Sequence, residues 1–148
     1  MDVPELLTAM ASVAATVPGL KSAHYPAANY INDAELPALV LYWGGPDETR
    51  IEFSNASGGD LWLPAVMGQL LVARLGNTPQ EVAAVDALIH PLVDAFNRPI
   101  AEIPELAGKV HRCRVSRLRS MISVRYAEHD YAAAEFYFDV KMHRSNAL

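Results

Sequence analysis

The chain has 148 residues, of which 51% are hydrophobic and 20% are charged. This length and composition predict one domain over residues 1–148 with a substantial core, and they exclude a disordered protein. Its single cysteine excludes an intrachain disulfide and the paired-cysteine metal and redox motifs. Because no apolar run is long enough to span a bilayer and the N-terminus lacks a basic leader region, we expect neither membrane association nor a signal peptide.

The net charge of −5 divides unevenly along the chain. Residues 1–108 carry four basic and thirteen acidic side chains, whereas residues 109–148 carry eight basic and four acidic ones. Between Lys109 and Arg125 there are six basic residues and no acidic residue. This division indicates either subunits that meet through basic and acidic surfaces, or a polyanionic partner.

The first elements in the chain are a helix and two or three strands. Asp2 is a candidate N-cap, and the apolar residues after it recur at the spacing of an amphipathic helix. Residues 20–32 are compatible with a short strand, which Pro26 would restrict to a sheet edge or interrupt. The apolar run 38–43 predicts a buried strand, and the alternation in residues 49–54 predicts a half-exposed one.

Two longer segments follow. Residues 61–75 fit both a strand and a helix, and we favour the strand because the next segment is more clearly helical. That next segment starts with a capping box at Thr78, and its apolar stripe predicts a second amphipathic helix. Pro91 lies inside the stripe, so we expect it to kink or restart the helix.

Residues 110–143 have the pattern of a β-hairpin with a short polar turn over residues 127–130. The second run alternates apolar and polar residues, whereas the apolar residues of the first run change parity, and we expect a β-bulge or a bend near Ser116 to Leu118. The predicted fold class is α+β, with an antiparallel or mixed β-sheet flanked by two main amphipathic helices and a C-terminal β-hairpin.

Catalytic and metal-binding patterns are absent from the sequence. The five histidines are at least fourteen residues apart and form no HxH or HExxH pair. Cys113 has His111 two residues away, and we favour a small buried residue over a nucleophile paired with this base. The paired glycines lack the lysine and helix start of a phosphate-binding loop. The sequence therefore predicts no catalytic residue, no metal ligand and no cofactor.

The unusual feature is a cluster of arginines in the first run of the hairpin. Arginine makes paired, directional contacts with carboxylate and phosphate groups. Three interpretations stay open: a solvated sheet face, a surface for another subunit or partner, and nucleic-acid binding, although no aromatic residues for base stacking are interleaved. The candidate residues for a subunit interface, a partner interface or a ring lumen are Arg112, Arg114, Arg117, Arg119 and Arg125.

The order of these features resembles the tail terminator, or tail completion, proteins of long-tailed bacteriophages. The resemblance covers nearly the whole chain and is one of layout, without a catalytic motif. The features that support the resemblance are a first helix ending in VPGL, the Leu36-Pro37-Ala38 entry into a strand, the segment LWLPAVMGQLLVAR, the helix start NTPQE, the helix LIHPLVDAF and the hairpin from Tyr126 to Met142.

The resemblance implies a structural protein of the virion that forms a homohexameric ring on the head-proximal end of the tail tube. Such a ring stops tube polymerisation and provides the surface that docks to the head. The implied partners are other copies of the chain, the tail tube protein, a head-completion or connector protein, and transiently DNA in the lumen, with no cofactor and no enzymatic activity. The implied location is the tail–head junction, after assembly in the host cytoplasm.

We also expect two loops of this chain to face a partner. Their residues are Gly45, Asp47, Glu48, Asn55, Ser57 and Asp60. Two other functions stay open. One is another neck component, such as a head-closure protein or connector adaptor. The other is a cytosolic enzyme or ligand-binding domain, which requires a concave pocket with convergent polar groups.

Overall fold

The computed structural model describes residues 2–52, 61–74 and 79–143. Within these ranges the chain forms two α-helices, seven β-strands and three short 3-10 helices. The strands join in one mixed sheet, and both α-helices pack on the same face of it. The predicted α+β class, with its mixed sheet, two amphipathic helices and C-terminal hairpin, is therefore confirmed.

Helix α1 covers Val3–Ala15 and begins as predicted. A side-chain oxygen of Asp2 accepts a hydrogen bond from the backbone N–H of Glu5 at 2.8 Å, which satisfies one of the free donors of the first turn. The stripe that packs on the sheet consists of Val3, Leu6, Leu7, Met10, Val13 and Ala14.

Helix α2 covers Pro79–Asn97 and continues through Pro91, so the expected restart does not occur. A proline removes one hydrogen bond of the helix. The buried side chains Leu88, Leu92 and Phe96 lie on both sides of Pro91, and their packing holds both halves of the helix on the sheet. The predicted cap, Thr78, lies outside the described residues.

The strands follow the order β1-β2-β5-β7-β6, and β4 and β3 extend the sheet beside the end of β7. β1 runs parallel to β2, and every other described neighbour is antiparallel. The bounds are β1 Ser22–His24, β2 Ala38–Trp43, β3 Arg50–Glu52, β4 Leu61–Leu63, β5 Val66–Arg74, β6 Arg112–Tyr126 and β7 His129–His143; the 3-10 helices are Asp33–Glu35, Pro46–Glu48 and Ile100–Glu102.

β4 and β5 are two parts of one line of chain beside β7. Leu61 pairs with His143 and Val66 pairs with Phe138, which is the same register on both sides of the break. Pro64 and Ala65 interrupt the line, because a proline has no N–H to donate to a neighbouring strand. The strand favoured for residues 61–75 is confirmed as far as β5 extends.

Gly68 lies in β5, between β2 and β7, where the core approaches the backbone closely. A Cβ at this position would lie 3.2 Å from side-chain carbons of Leu39 and Phe138 and 3.3 Å from one of Leu41. The core on this face is therefore filled up to the glycine backbone, and the absence of a side chain is what lets these three residues pack together.

The hairpin turn is tighter than predicted. Only Ala127 and Glu128 connect the strands, and both have positive φ, 48° and 70°, as in the two-residue turns whose twist matches that of a hairpin. His129 and Asp130, expected in the turn, belong to β7. β7 is the central strand, with β6 on one side and β5 and β4 on the other, whereas β6 has a described partner only on one side.

The two faces of the sheet are covered differently. Both helices cover one face, and even-numbered residues of β7 from 132 to 142 point into that core. On the opposite face, residues 25–37, here called the cap loop, cover the part of the sheet near the hairpin turn and bury Ile31 against it. The rest of this second face carries the arginines, of which Arg114, Arg117 and Arg119 are exposed.

Candidate interaction surface

Four of the five candidate arginines lie together on the face of the sheet opposite to the helices. The pairing register shifts by one residue between Val115 and Arg117, which confirms the expected bulge near Ser116. In a regular strand Arg114 and Arg117 would point to opposite faces, and the extra residue brings them to the same one. The cross-strand pairs are Arg112 with Lys141, Arg114 with Asp139, Arg117 with Tyr137 and Arg119 with Glu135. We call these eight residues the arginine face.

The bulge is held in place by side chains on both sides of β6. The backbone N–H of Val115 donates to Oδ1 of Asn97, the last residue of α2, at 2.8 Å. The hydroxyl of Ser116 donates to the backbone carbonyl of Tyr137 at 3.1 Å. Because a bulge disrupts the regular ladder, these two bonds supply partners at the position that sets where the arginines point.

Arg112 is fixed to its neighbouring strand by a two-point contact. Its Nη2 donates to Oδ1 of Asp139 at 3.1 Å. Its Nε lies 2.8 Å from Oδ2 of the same carboxylate, an ionic contact without the alignment of a hydrogen bond. This side chain therefore has a defined orientation within the arginine face.

Arg117 and Arg119 belong to a second group of contacts. The guanidinium of Arg117 lies over the ring of Tyr137, 4.2 Å from its centroid, which is a cation–π geometry. The hydroxyl of Tyr137 donates to Glu135 at 2.9 Å, and Nη1 of Arg119 lies 3.8 Å from the other oxygen of that carboxylate. The group holds its two arginines in place while leaving them exposed.

The arginine face keeps an excess of positive charge, because it contains five basic and two acidic side chains. Arg114 is exposed and forms no ion pair with any described residue. A surface of this kind can attract carboxylates or phosphates, and Arg114 is the side chain with the most freedom to meet them.

Arg125 does not belong to this group, which corrects the prediction that the five arginines form one site. It pairs with Asp130, with Nη1 and Oδ1 3.7 Å apart, and the alternation of β6 directs it to the other side of the sheet. Its neighbour Tyr126 lies under the cap loop, where its hydroxyl donates to the backbone carbonyl of Ala28. A second register shift, between Arg119 and Ile122, precedes this part of the strand.

The alternation of the second run predicted that Tyr137, Asp139 and Lys141 share a face, but Glu135 was not included and none of the four was recognised as part of a site. The signal is the alternation of Glu135, Tyr137, Asp139 and Lys141 with buried residues. Such a pattern predicts which residues share a face. It does not predict which arginine each would meet, because that depends on the two register shifts in β6.

The first candidate loop lies beside this surface. Asp47 and Glu48 are exposed in the 3-10 helix Pro46–Glu48, and Gly45 precedes it with φ of 86°. Glu48 lines a cleft of about 410 Å³ together with Tyr42, Met67 and Tyr137. The structure therefore brings this loop and the arginine face together through Tyr137. The other candidate loop residues, Asn55, Ser57 and Asp60, lie outside the described residues.

A serine, a histidine and a carboxylate meet at β1, a cluster that sequence spacing did not indicate. Nε2 of His24 lies 2.9 Å from Oγ of Ser22 and 3.5 Å from Oε2 of Glu35. In a catalytic triad the serine and the carboxylate use different ring nitrogens, whereas here both face the same one. The hydroxyl of Ser22 donates to the backbone carbonyl of Glu35 at 2.8 Å. The cluster therefore ties the cap loop to β1 and lacks the geometry of an activated nucleophile.

Cys113 is buried in the core under the helices. Burial, and secondarily the nearby carboxylate of Asp139, raise the pKa of the Cys113 thiol to about 12. The thiolate that a cysteine nucleophile requires is therefore disfavoured. Across residues 2–52, 61–74 and 79–143, no group of three or more His, Cys, Asp or Glu side chains is placed to hold a metal ion.

The two helices have the opposite charge. Helices α1 and α2 together contain four carboxylates and no lysine or arginine. On α2, Asp86 and Asp94 are exposed, and Val82 is 40% exposed, which is high for a large apolar side chain. The uneven charge along the sequence thus becomes a difference between the arginine face and the two helices behind it.

The fold and this surface define an α+β protein with a basic, partly open sheet face backed by acidic helices. Comparison of the chain with models of protein families and with curated proteins found no match. Neither of the two described α-helices is long and apolar enough to cross a membrane.

Proposed function

We propose that this protein is a structural subunit of a bacteriophage virion, which forms a ring on the head-proximal end of the tail tube. The ring stops polymerisation of the tube and provides the surface that docks to the head. Its partners are other copies of the chain, the tail tube protein and a head-completion or connector protein. DNA that passes through the lumen makes at most transient, non-specific contacts with it.

The observation that supports this proposal most strongly is the opposite charge of the arginine face and of the two helices behind it. The arginine face carries five basic and two acidic side chains, and the helices behind it carry only acidic ones. A subunit with complementary surfaces on opposite sides can bind the next copy head to tail, and such contacts close into a ring when the rotation permits. The α+β layout is the one that the family resemblance implies.

The described chemistry favours a binding role over a catalytic one. The Ser22–His24–Glu35 cluster has the wrong geometry for a triad, and the Cys113 thiol is held protonated by burial. In the cleft of about 410 Å³ the lining is mainly aromatic and apolar, with Glu48 as its charged residue. These features leave the arginine face as the candidate site with the most charge and the best-ordered contacts.

The proposal is tested by the mass and shape of the purified protein. Six copies of a 16.2 kDa chain are expected to elute as one species in light scattering and to appear as closed rings in negative-stain images. When a tail tube protein from the same virus polymerises in its presence, the rings should sit at one end of each tube. A protein that stays monomeric under tube-forming conditions and leaves tube ends bare would refute the function.

A further inference from the structure

The outer surface of α2 has the composition to match the arginine face. Its exposed residues include Asp86 and Asp94, with the apolar Val82 one turn before Asp86, and no lysine or arginine occurs in the helix. α2 lies behind β6, on the side of the sheet opposite to the arginine face. The two surfaces therefore cannot meet within one copy, but they can meet between two copies.

The spacing of the charges is also compatible with such a contact. Asp86 and Asp94 are eight residues apart, which is about 12 Å along a helix axis. Arg114 pairs with Asp139 and Arg119 pairs with Glu135 across the two strands. Because Asp139 and Glu135 are four residues apart on β7, the two arginines are separated by about 14 Å along the strand. Two carboxylates of the helix can thus reach two guanidinium groups of the sheet at the same time, a charge-paired arrangement that favours binding.

The edge of β6 is less suited to be the contact than its face. Two register shifts interrupt the strand, and Asn97 already accepts a hydrogen bond from the backbone N–H of Val115. Bulges and charged residues are devices by which proteins prevent another strand from pairing with a sheet edge. The interaction is therefore expected to involve side chains of the open face rather than an added strand.

Resting on the proposed function, in which copies of the chain assemble into a ring, we infer that the arginine face of one subunit packs against the outer surface of α2 of the next. The contact is heterologous, because each subunit offers a different surface to each of its two neighbours. Arg114 and Arg119 face Asp86 and Asp94 of the neighbouring copy, and Val82 packs within the same contact.

The inference is tested by reversing each side of the contact separately. One variant carries Arg114→Glu and Arg119→Glu, and the other carries Asp86→Arg and Asp94→Arg. Each is expected to raise the protein concentration needed for half-assembly by about tenfold or more, because like charges then face each other. Thermal unfolding and circular dichroism establish that each variant is folded, and controls reverse exposed charges elsewhere, Lys21→Glu and Glu102→Arg.

Mixing the two reversed variants gives the sharpest readout. In an equimolar mixture the acidic sheet face of one variant meets the basic helix of the other. The remaining contacts join the unchanged arginine face of the second variant to the unchanged acidic helix of the first, as in the wild type. Rings of alternating variants should therefore form at concentrations close to those of the wild type, as measured by mass photometry. Neither folded variant should assemble in this range alone, while both controls assemble normally.

Other results overturn the inference and separate it from the proposed function. If wild-type rings form and both reversed variants also form rings normally, the contact is wrong while the ring stands. The same holds if the mixture fails to restore assembly, or if Arg114→Glu/Arg119→Glu loses only retention of a DNA duplex, which would place the arginine face in the lumen. If the wild-type protein itself forms no ring, the proposed function fails together with the inference.

Discussion

The hydroxyl of Tyr131 is buried without a hydrogen-bond partner among the described residues, and its side chain is 0% exposed. An unsatisfied buried hydroxyl costs about 1–3 kcal/mol of folding free energy. Replacing it in Tyr131→Phe removes this cost and retains the ring that packs beside Ile31 and Val124. We therefore expect the free energy of unfolding to rise by about 1–2 kcal/mol, measured by urea denaturation.

A matched substitution with the opposite sign is available on the same hairpin. The Tyr126 hydroxyl donates to the carbonyl of Ala28 in the cap loop, so Tyr126→Phe loses this bond and leaves the carbonyl without it. The free energy of unfolding should fall by about 1–2 kcal/mol. Because each kcal/mol corresponds to roughly 2–4 °C at this chain length, the melting temperatures of the two variants should separate clearly. A destabilised Tyr131→Phe would mean that this hydroxyl has a partner and would refute the reasoning.

Three further predictions concern the sheet and its core. Gly68→Ala should lower the free energy of unfolding by about 1–3 kcal/mol, because the added methyl overpacks a filled core; an unchanged urea midpoint would contradict the packing described. Asn97→Ala should cost about 1 kcal/mol through the lost bond to the bulge, and hydrogen exchange at Val115 should accelerate. The raised pKa of Cys113, about 12 against an ordinary 9, means that the unfolded chain loses this proton first. The contribution of this thiol to the free energy of unfolding should therefore be constant below about pH 9 and fall by about 1.4 kcal/mol per pH unit towards pH 12, and Cys113→Ala should reduce that slope.

The elements that local signals specify were predictable from the sequence. The Asp2 cap, the apolar stripes of both helices and the alternation in β7 each depend on neighbouring residues, and the structure contains all three. The parity change near Ser116 even located a bulge, because side chains in a strand alternate with a period of two. The restart that was one of the two outcomes expected at Pro91 does not occur, since local propensity ignores the packing that holds a helix on both sides of a proline.

The arrangement of the candidate site depended on information that no local pattern contains. A one-residue register shift decides which face an arginine occupies, so Arg117 joins Arg114 although their spacing alone would separate them. Arg125 lies on the other face because of the second register shift, between Arg119 and Ile122. The cap loop is a second example, because its position over the part of the face near the hairpin turn depends on long-range contacts such as that between Tyr126 and Ala28.

The measurement that tests the central claim most directly is the length of tail tubes grown with and without this protein. A tail tube protein from the same virus is polymerised, the purified chain is added, and tube lengths and ends are recorded by electron microscopy over time. The proposed function predicts that growth stops and that one ring sits at a single end of each tube. Tubes that continue to lengthen at the same rate, with no density added at their ends, would contradict it.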